Sequence, residues 1–321
     1  MQKIKVFSGT SNIQLAKQIC KQLEVPLGDV AISRQQSGEI HVSYQEPIRT
    51  CDVFIVQSLS HPVNEHLIEL LVMIDAAKRA SAKTINIVMP YYGYARQERK
   101  SSPREPISAK MVADVLTTVG ASRIITVDLH ADPIQGFFDI PVDHLTALNL
   151  IIKYLRSKNI KNPVVVSPDA GRASTAEKLA GLLDCPFAIM IKNRPAHNQS
   201  EITHIIGEVE DMTPIIIEDL IDTGSTIVNV VEALKKKGAM DAYICATHGL
   251  FSANALDKLN HPNIREVVIT DTITIDEAPS DKFVVLPMAP LLGTAIKIIS
   301  EGGSLDMLFV PERRMPVKAL D

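Results

Sequence analysis

The sequence is poor in cysteine and contains no long apolar run. Its four cysteines follow no metal-ligand or redox spacing and lie mostly inside apolar segments, which predicts reduced thiols in the core. No stretch reaches the roughly 18 apolar residues of a membrane-spanning helix, and the first residues lack the apolar region of a signal peptide. We therefore expect a cytoplasmic protein that has no membrane partner.

A strong charge of either sign is also missing. The formal net charge is −4, and proteins that bind nucleic acid usually carry a basic surface. The sequence therefore predicts no nucleic-acid partner. Neither a Walker A pattern nor a glycine-rich dinucleotide fingerprint occurs, so nucleotide binding by those two routes is unsupported.

Hydrophobic residues make up 46% of the 321 positions, which is enough for large cores and is typical of two globular domains. Short branched apolar runs alternate with segments of helical periodicity, and this pattern predicts parallel sheets covered by helices on both faces. A strand, turn and helix that start near Lys3 recur at Pro163, about 160 residues later. LEVPL at 23–27 is likewise echoed by LDCPF at 183–187. The sequence therefore predicts two halves built alike.

The most informative stretch is 214–226, which reads PIIIEDLIDTGST. Its isoleucines predict a buried strand, and the apolar spacing from Ile227 predicts a helix. The free backbone N–H groups where such a turn meets a helix favour a phosphate, whereas the acids before it favour sugar hydroxyls or a metal. We infer a site for a phosphorylated sugar; the alternative is an ordinary helix cap with solvated acids. The polar residues concerned are Glu218, Asp219, Asp222, Thr223, Gly224, Ser225 and Thr226.

Basic and hydroxyl side chains are concentrated in a loop that follows the predicted strand 84–89. Arg96, Arg99, Lys100 and Arg104 lie close to three tyrosines in a chain with only 4% aromatic residues. Such a loop is suited to a polyphosphate or a purine ring. The alternative is a solvated loop that contacts another subunit.

Two further polar residues follow buried strands. His130 comes after the strand 123–127, and Asp169 comes after the strand 164–166. Ligands bind at the carboxyl edge of parallel sheets, so these two residues are candidates to share one divalent ion, although a lone histidine is more often structural.

Two cations follow the strand predicted at 187–191. Lys192 and Arg194 precede a polar stretch, where a mobile loop would let them close over transferring phosphates. The alternative is a plain hairpin between two strands.

These motifs together resemble the ribose-phosphate pyrophosphokinase (phosphoribosyl diphosphate synthetase) family nearly end to end. The resemblance rests on their order and spacing, and DLH…QGFF is highly specific, whereas DTGST also occurs in phosphoribosyltransferases. The matching segments are NEHLIELLVMIDAAKRASA, PYYGYARQERK, DLHADPIQGFFDIPVDHL, SPDAG, the Lys192/Arg194 pair, EDLIDTGST and ATHGLFS.

The resemblance implies an α/β fold of two tandem phosphoribosyltransferase-like domains, 1–146 and 147–321. It implies transfer of the β,γ-diphosphoryl group of MgATP to the anomeric hydroxyl of ribose 5-phosphate. The products are 5-phosphoribosyl 1-diphosphate, which is used in nucleotide biosynthesis, and AMP. It further implies Mg²⁺ as cofactor and a homo-oligomer, in this family a hexamer. A nucleobase phosphoribosyltransferase and, from another class, a non-catalytic regulatory relative remain the alternatives.

The resemblance also assigns roles to individual residues. Lys192 and Arg194 would act on the transferring group, with Arg194 also near the sugar phosphate, and His130 and Asp169 would bind Mg²⁺. Residues 222–226 would bind the 5-phosphate, while Glu218 and Asp219 would take the ribose hydroxyls and the metal near them. ATP would be held by Arg96 and Gln97 together with Ser37, Gly38 and Glu39 of a neighbouring subunit.

Several positions depart from the family pattern. Gln35 and Ser37 stand where the family has an aromatic residue and then Asp or Asn. Glu218 replaces the usual Asp, Ser225 replaces the usual Gly, and Pro133 replaces the usual Gln. After Gly171, where the family continues with Gly and then a Lys-Arg pair, this chain has Arg172, Ser174 and Thr175.

Overall fold

The computed structural model describes residues 4–196, 199–275 and 280–309, without the side chains of residues 170 and 192–203. The chain forms two compact units. Of the described residues, the first unit contains 4–146, 272–274 and 287–309, and the second contains 147–271 together with the described part of 275–286.

The strands follow the chain in the order expected for an α/β protein. They are β1 (Ile4–Ser8), β2 (Val30–Arg34), β3 (Ile40–Tyr44), β4 (Asp52–Val56), β5 (Thr84–Val88), β6 (Arg123–Val127), β7 (Val142–Leu145), β8 (Pro163–Ser167), β9 (Phe187–Ala196), β10 (Gln199–Ile206), β11 (Thr213–Ile221), β12 (Ala242–Gly249), β13 (Ile264–Thr270) and β14 (Phe283–Leu286).

The helices lie between these strands and after the last of them. They are α1 (Ile13–Leu23), α2 (Val63–Arg79), α3 (Ser108–Val119), α4 (Leu148–Ser157), α5 (Ala173–Leu183), α6 (Ser225–Lys236), α7 (Ala255–Leu259), α8 (Ala289–Glu301) and α9 (Asp306–Phe309). Two 3₁₀ turns occur at Asp132–Phe137 and Ala170–Arg172.

A parallel sheet in the order β1-β4-β5-β6-β7 forms the centre of the first unit. Strand β4 is buried along its whole length because helices cover both faces of such a sheet. The antiparallel hairpin β2-β3 stands apart from it, and only Leu27 just before the hairpin bridges to Val6 of β1. The core includes Val53, Ile87 and Leu70.

The second unit contains a sheet in the order β10-β9-β8-β11-β12-β13-β14. Its strands are parallel except for β10, which pairs antiparallel with β9. Its core includes Val166, Ile216, Ile244 and Val230. Five parallel strands of this sheet, β8-β11-β12-β13-β14, repeat the order β1-β4-β5-β6-β7 of the first unit.

The local repeats in the sequence also have matching structures. The C-cap residues of α1 and α5 are Glu24 and Asp184, and both are left-handed, with φ of 56° and 60°. The chain then enters, through Leu27 and Phe187 respectively, a parallel pairing with the first strand of its unit. The predicted class of parallel sheets flanked by helices, in two similar halves, is confirmed.

Helix α8 belongs to the first unit, although the sequence placed all residues after 146 in one domain. The reason is close packing between α8 and α1, where a Cβ on Gly293 would lie 2.8 Å from the Gln22 side chain. The helix begins with a proline in its first turn and ends at Gly302, whose φ is 72°.

The four cysteines are all free: Cys20, Cys51 and Cys245 are buried, and Cys185 is partly exposed. Within the described ranges, no helix is long and apolar enough to cross a membrane.

Candidate functional site

Strand β11 carries two carboxylates beyond the point where its neighbour ends. β11 pairs with β8 only from Thr213 to Ile216, but it continues beside β12 as far as Ile221. Glu218 and Asp219 therefore lie within the strand, whereas the sequence placed them after it. The longer strand forms because β12 runs on to Gly249 and supplies the pairing partners. Both acids consequently lie next to the turn that follows β8.

An arginine from that turn contacts both acids. The Arg172 Nη2 atom lies 2.5 Å from Asp219 Oδ1, and its Nε atom lies 3.9 Å from Glu218 Oε2. The Asp219 side chain is only 6% exposed and that of Arg172 is 22% exposed, so the closer pair is well shielded from water. Arg172 is one of the departures from the family pattern, and the sequence did not indicate its partners.

Asp169 shapes the same turn. Its Oδ1 atom accepts hydrogen bonds from the backbone N–H groups of Gly171 at 2.9 Å and Arg172 at 3.2 Å. The Ser167 hydroxyl donates to the Asp169 carbonyl at 2.6 Å. Oδ2 of Asp169 makes no hydrogen bond to the described residues, and the side chain is half-buried. One carboxylate oxygen therefore builds the turn, and the other is suited to a hard cation.

The turn between β11 and α6 has the geometry of an anion site. Gly224 is the N-cap of α6 with φ of 72°, and no side chain of the described chain caps the helix. The first N–H groups of a helix have no partner within it and attract negative charge. Thr223, Ser225 and Thr226 are exposed at this turn, so their hydroxyls are accessible.

Helix α7 supplies a cation to this turn that the sequence did not reveal. Lys258 Nζ donates to the Ser225 hydroxyl at 2.8 Å and to the Thr223 carbonyl at 3.3 Å. Leu259 lies so near that a Cβ on Gly224 would be 3.3 Å from its Cγ atom. The contact links positions 33 residues apart, and no local pattern indicated it.

In the first unit, His130 follows β6 in a segment that another histidine holds in place. Asp128 is left-handed with φ of 38°, and the Leu129 N–H donates to His144 Nε2 at 2.8 Å. Burial lowers the pKa of His144, and the nearby charges of Asp128 and Asp132 partly oppose that effect. A neutral imidazole is required because Nε2 acts as acceptor. No pattern in the sequence indicated this role of His144.

The basic loop after β5 lies next to two buried tyrosines. Tyr91 and Tyr92 are buried, and the Tyr92 hydroxyl donates to the Ala109 carbonyl at 2.6 Å. Binding of a polyphosphate or a purine ring by this loop stays a prediction. Gln97 Oε1 accepts from the Ser108 hydroxyl at 3.2 Å, and Arg96 is exposed.

The tip of the β2-β3 hairpin contains the other predicted nucleotide residues, and it is exposed throughout. The Gln35 N–H donates to the Glu39 carbonyl, and Gly38 has φ of 92°. The Ser37 hydroxyl donates to Glu39 Oε2 at 2.7 Å. The tip is thus a defined turn on the surface of the first unit.

Lys192 and Arg194 lie on β9, where the backbone forms an antiparallel hairpin with β10 and Lys192 pairs with Ile202. Their side chains lie outside the described part of the chain. The backbone thus follows the plain hairpin, and a role for the two cations stays a prediction.

The predicted metal ligands lie in different units, His130 in the first and Asp169 in the second. Among the described residues there is no group of three or more His, Cys, Asp or Glu side chains arranged to hold a metal. A shared ion between His130 and Asp169 therefore stays a prediction.

Comparison with known proteins covers nearly the whole chain. Residues 4–120 match the N-terminal domain of ribose phosphate pyrophosphokinase, and residues 188–310 match the phosphoribosyl synthetase-associated domain. The ribose-phosphate pyrophosphokinase of Bacillus cereus is 50% identical over 307 residues, which cover 95% of this chain and 97% of that protein. The Bacillus subtilis protein of the same name is 48% identical over the same shares of both chains.

A solved structure agrees with these sequence matches. The phosphoribosylpyrophosphate synthetase from Mycobacterium smegmatis superposes with a TM-score of 0.89 at 42% identity. The superposition covers 94% of this chain and 100% of that chain.

Proposed function

This chain belongs to the ribose-phosphate pyrophosphokinase family, and from that premise we propose how its residues make 5-phosphoribosyl 1-diphosphate. The anomeric hydroxyl of ribose 5-phosphate attacks the β-phosphorus of ATP, the bond from that phosphorus to the α-phosphate oxygen breaks, and AMP leaves. The observation that carries the assignment is the uncapped turn at Gly224, directly after a strand that holds Glu218 and Asp219.

The sugar binds with its phosphate on this turn. Within the segment 222–226, backbone N–H groups at the start of α6 and the hydroxyls of Thr223, Ser225 and Thr226 donate to the phosphate oxygens. The carboxylates of Glu218 and Asp219 accept hydrogen bonds from the ribose hydroxyls, because carboxylates are strong acceptors for neutral donors. Contacts to both the 5-phosphate and the ribose hydroxyls orient the anomeric hydroxyl for attack.

Lys192 and Arg194 act on the transferring diphosphoryl group. Phosphoryl transfer depends mainly on positioning and on stabilising the charge that spreads over the equatorial oxygens. Two cations on β9, in the hairpin that it forms with β10, suit that task, with Arg194 also reaching the sugar phosphate. Loss of one such group typically lowers the rate by about 10²–10³.

The donor set fits a divalent cation such as Mg²⁺. Asp169 offers its Oδ2 oxygen while Oδ1 holds the turn, and His130 offers an imidazole after β6. When bound, Mg²⁺ supplies charge neutralisation and alignment of the ATP phosphates. Asp169 and His130 would hold the ion through one oxygen and one nitrogen.

ATP is held by Arg96 and Gln97 and by the 37–39 turn of a second copy of the chain. The exposed hairpin tip is a suitable element to extend to a neighbour, and this requires a homo-oligomer, as in the hexamers of the family. Arg96 supplies positive charge for the phosphates, and the Gln97 side chain is fixed by Ser108.

The decisive experiment incubates the protein with Mg²⁺, ATP and ribose 5-phosphate and measures AMP. We expect AMP and 5-phosphoribosyl 1-diphosphate in equal amounts. Protein that binds both substrates but forms no AMP would be a regulatory relative. Formation of a nucleotide from 5-phosphoribosyl 1-diphosphate and a free nucleobase would instead indicate a phosphoribosyltransferase.

The role of the hairpin cations is tested by Lys192→Ala. We expect most AMP formation to be lost while ribose 5-phosphate binding, measured by calorimetry, is nearly unchanged, because the cation acts in the transition state. Lys235→Ala is a matched control, since Lys235 pairs with Asp241 at the other end of α6. Equal losses of binding and rate in Lys192→Ala would contradict this role.

A further inference from the structure

The acid pair of β11 already has a cation against it. The guanidinium of Arg172 lies 2.5 Å from Asp219 and 3.9 Å from Glu218. The side chains of both acids are largely buried, 6% exposed for Asp219 and 15% for Glu218. Two neighbouring carboxylates with so little access to water repel each other, and a nearby positive charge stabilises them in the charged form.

The backbone of Arg172 is fixed as firmly as its side chain. Its N–H donates to Asp169 Oδ1, and the residue ends the short 3₁₀ turn Ala170–Arg172. Asp169 therefore fixes the backbone position of Arg172, and Asp219 fixes the position of its guanidinium group. The planar guanidinium forms directed hydrogen bonds and cannot lose its charge at physiological pH. Arg172 is thus a permanent part of this surface.

We propose that Arg172 is the resident cation of the Glu218–Asp219 pair, so that ribose hydroxyls meet neutralised carboxylates and no divalent ion binds at these two acids. The inference rests on the proposed sugar site and specifies its electrostatics. Arg172 is a positioning residue: it orients Asp219 and excludes metal from the pair. The metal requirement of the enzyme then lies with ATP and the proposed ligands Asp169 and His130.

The test removes the charge of Arg172 and measures the number of metal ions bound per chain. Arg172→Gln keeps a hydrogen-bonding side chain but removes the positive charge that Arg172 places against the two carboxylates. Titration with Mn²⁺, followed by electron paramagnetic resonance of the free ion, should show one more bound ion per chain in Arg172→Gln than in the native protein. We expect this because Mn²⁺ prefers oxygen ligands such as the carboxylates of Glu218 and Asp219.

Sugar binding provides a second readout. We expect the affinity of the native protein for ribose 5-phosphate, measured by calorimetry without ATP, to be nearly the same in Mg²⁺ and in EDTA. In Arg172→Gln the affinity for ribose 5-phosphate should fall by about tenfold or more in EDTA, because the charge-assisted contact between Arg172 and Asp219 is lost. The affinity should recover in Mg²⁺. Arg172→Lys keeps the charge and should bind no additional Mn²⁺.

Arg156→Gln is the matched control, since Arg156 lies in the same unit and donates to the Leu182 carbonyl away from the acids. It should leave both readouts unchanged. If Arg172→Gln does not fold, Asp219→Asn in the native background still decides the question. A decrease in bound Mn²⁺ on Asp219→Asn would show that the pair already holds a metal, and would overturn the proposal, whereas an unchanged count supports it.

The two proposals fail in different ways. A native protein that binds no ribose 5-phosphate in Mg²⁺ or in EDTA would refute the sugar site, while the Mn²⁺ counts would still decide the role of Arg172. A native protein that binds the sugar only in Mg²⁺, with a Mn²⁺ count equal to that of Arg172→Gln, would refute the role of Arg172 and leave the sugar site standing.

Discussion

Replacing His144 with phenylalanine should destabilise the segment that carries His130 and remove part of the acid sensitivity of the first unit. His144 Nε2 accepts the Leu129 N–H at 2.8 Å, and its side chain is only 14% exposed. Phenylalanine fills a similar volume but accepts no hydrogen bond. A largely buried donor left without a partner costs about 1–3 kcal/mol, so we expect a loss of that size at about pH 8.

The sign of the pH effect follows from the same bond. Burial lowers the pKa of His144 below its ordinary value of 6.5, so the unfolded chain takes up this proton first as the pH falls. The stabilisation is fully present above the ordinary pKa and is lost as the pH falls towards the lower pKa of the folded state. The native protein should therefore lose more stability on acidification than His144→Phe.

Urea unfolding at about pH 8 and about pH 5.5 gives the two stabilities, and their difference cancels the groups that both proteins share. Hydrogen exchange of the Leu129 amide gives a local measure. His41→Phe is the control, because His41 is exposed on β3 of the same unit. Equal acid losses in the native protein and His144→Phe would refute the reasoning, as would an unchanged rate of exchange at Leu129.

Three further predictions concern the turn at Gly224 in the second unit and the turn after β1 in the first unit. Gly224→Ala should cost about 1 kcal/mol in thermal unfolding and weaken ribose 5-phosphate binding, since φ of 72° disfavours a Cβ; an unchanged affinity would argue against a phosphate there. Lys258→Ala should raise the KM for ribose 5-phosphate by about twofold to fivefold, the usual scale of an exposed charge, with an unchanged KM for ATP; Lys235→Ala should leave both KM values unchanged. Glu69→Ala should lower the unfolding free energy by about 2–4 kcal/mol, because Glu69 is 2% exposed and accepts the Thr10 N–H at 2.6 Å; a melting temperature equal to the native one would contradict this.

Much of the fold followed from local patterns. Helix α5 and strand β14 have the bounds that periodicity indicated, because their caps and flanking turns are encoded within a few residues. The extension of β11 through Glu218 and Asp219 could not be foreseen, since acids favour loops and the strand continues only through pairing with β12, about 30 residues later. Likewise, α8 reads as the last helix of the second half, and only its packing on α1 assigns it to the first unit.

The site was predictable where the backbone makes it and unpredictable where side chains from distant elements complete it. The turn at Gly224 combines a strand, a small residue and a helix start within one short stretch. By contrast, Arg172, Lys258 and His144 act through partners that are many residues away or on another strand. Sequence spacing does not determine which of many exposed lysines or partly buried histidines folds back onto a given turn.

The turn after the first strand differs between the two units, although β1 and β8 hold the same place in the strand order. After β1, the turn at Gly9 and Thr10 is filled from within: the buried Glu69 carboxylate accepts from Thr10 and from Gln57, and a Cβ on Gly9 would overlap both side chains. After β8, the corresponding turn instead sends out Arg172 against the acids of β11. A carboxylate bound to backbone N–H groups occupies the place that a ligand anion would need, so this turn of the first unit is closed to an anion. Equivalent turns of the two sheets therefore differ in what fills them, and duplication of the fold need not duplicate the chemistry of its turns.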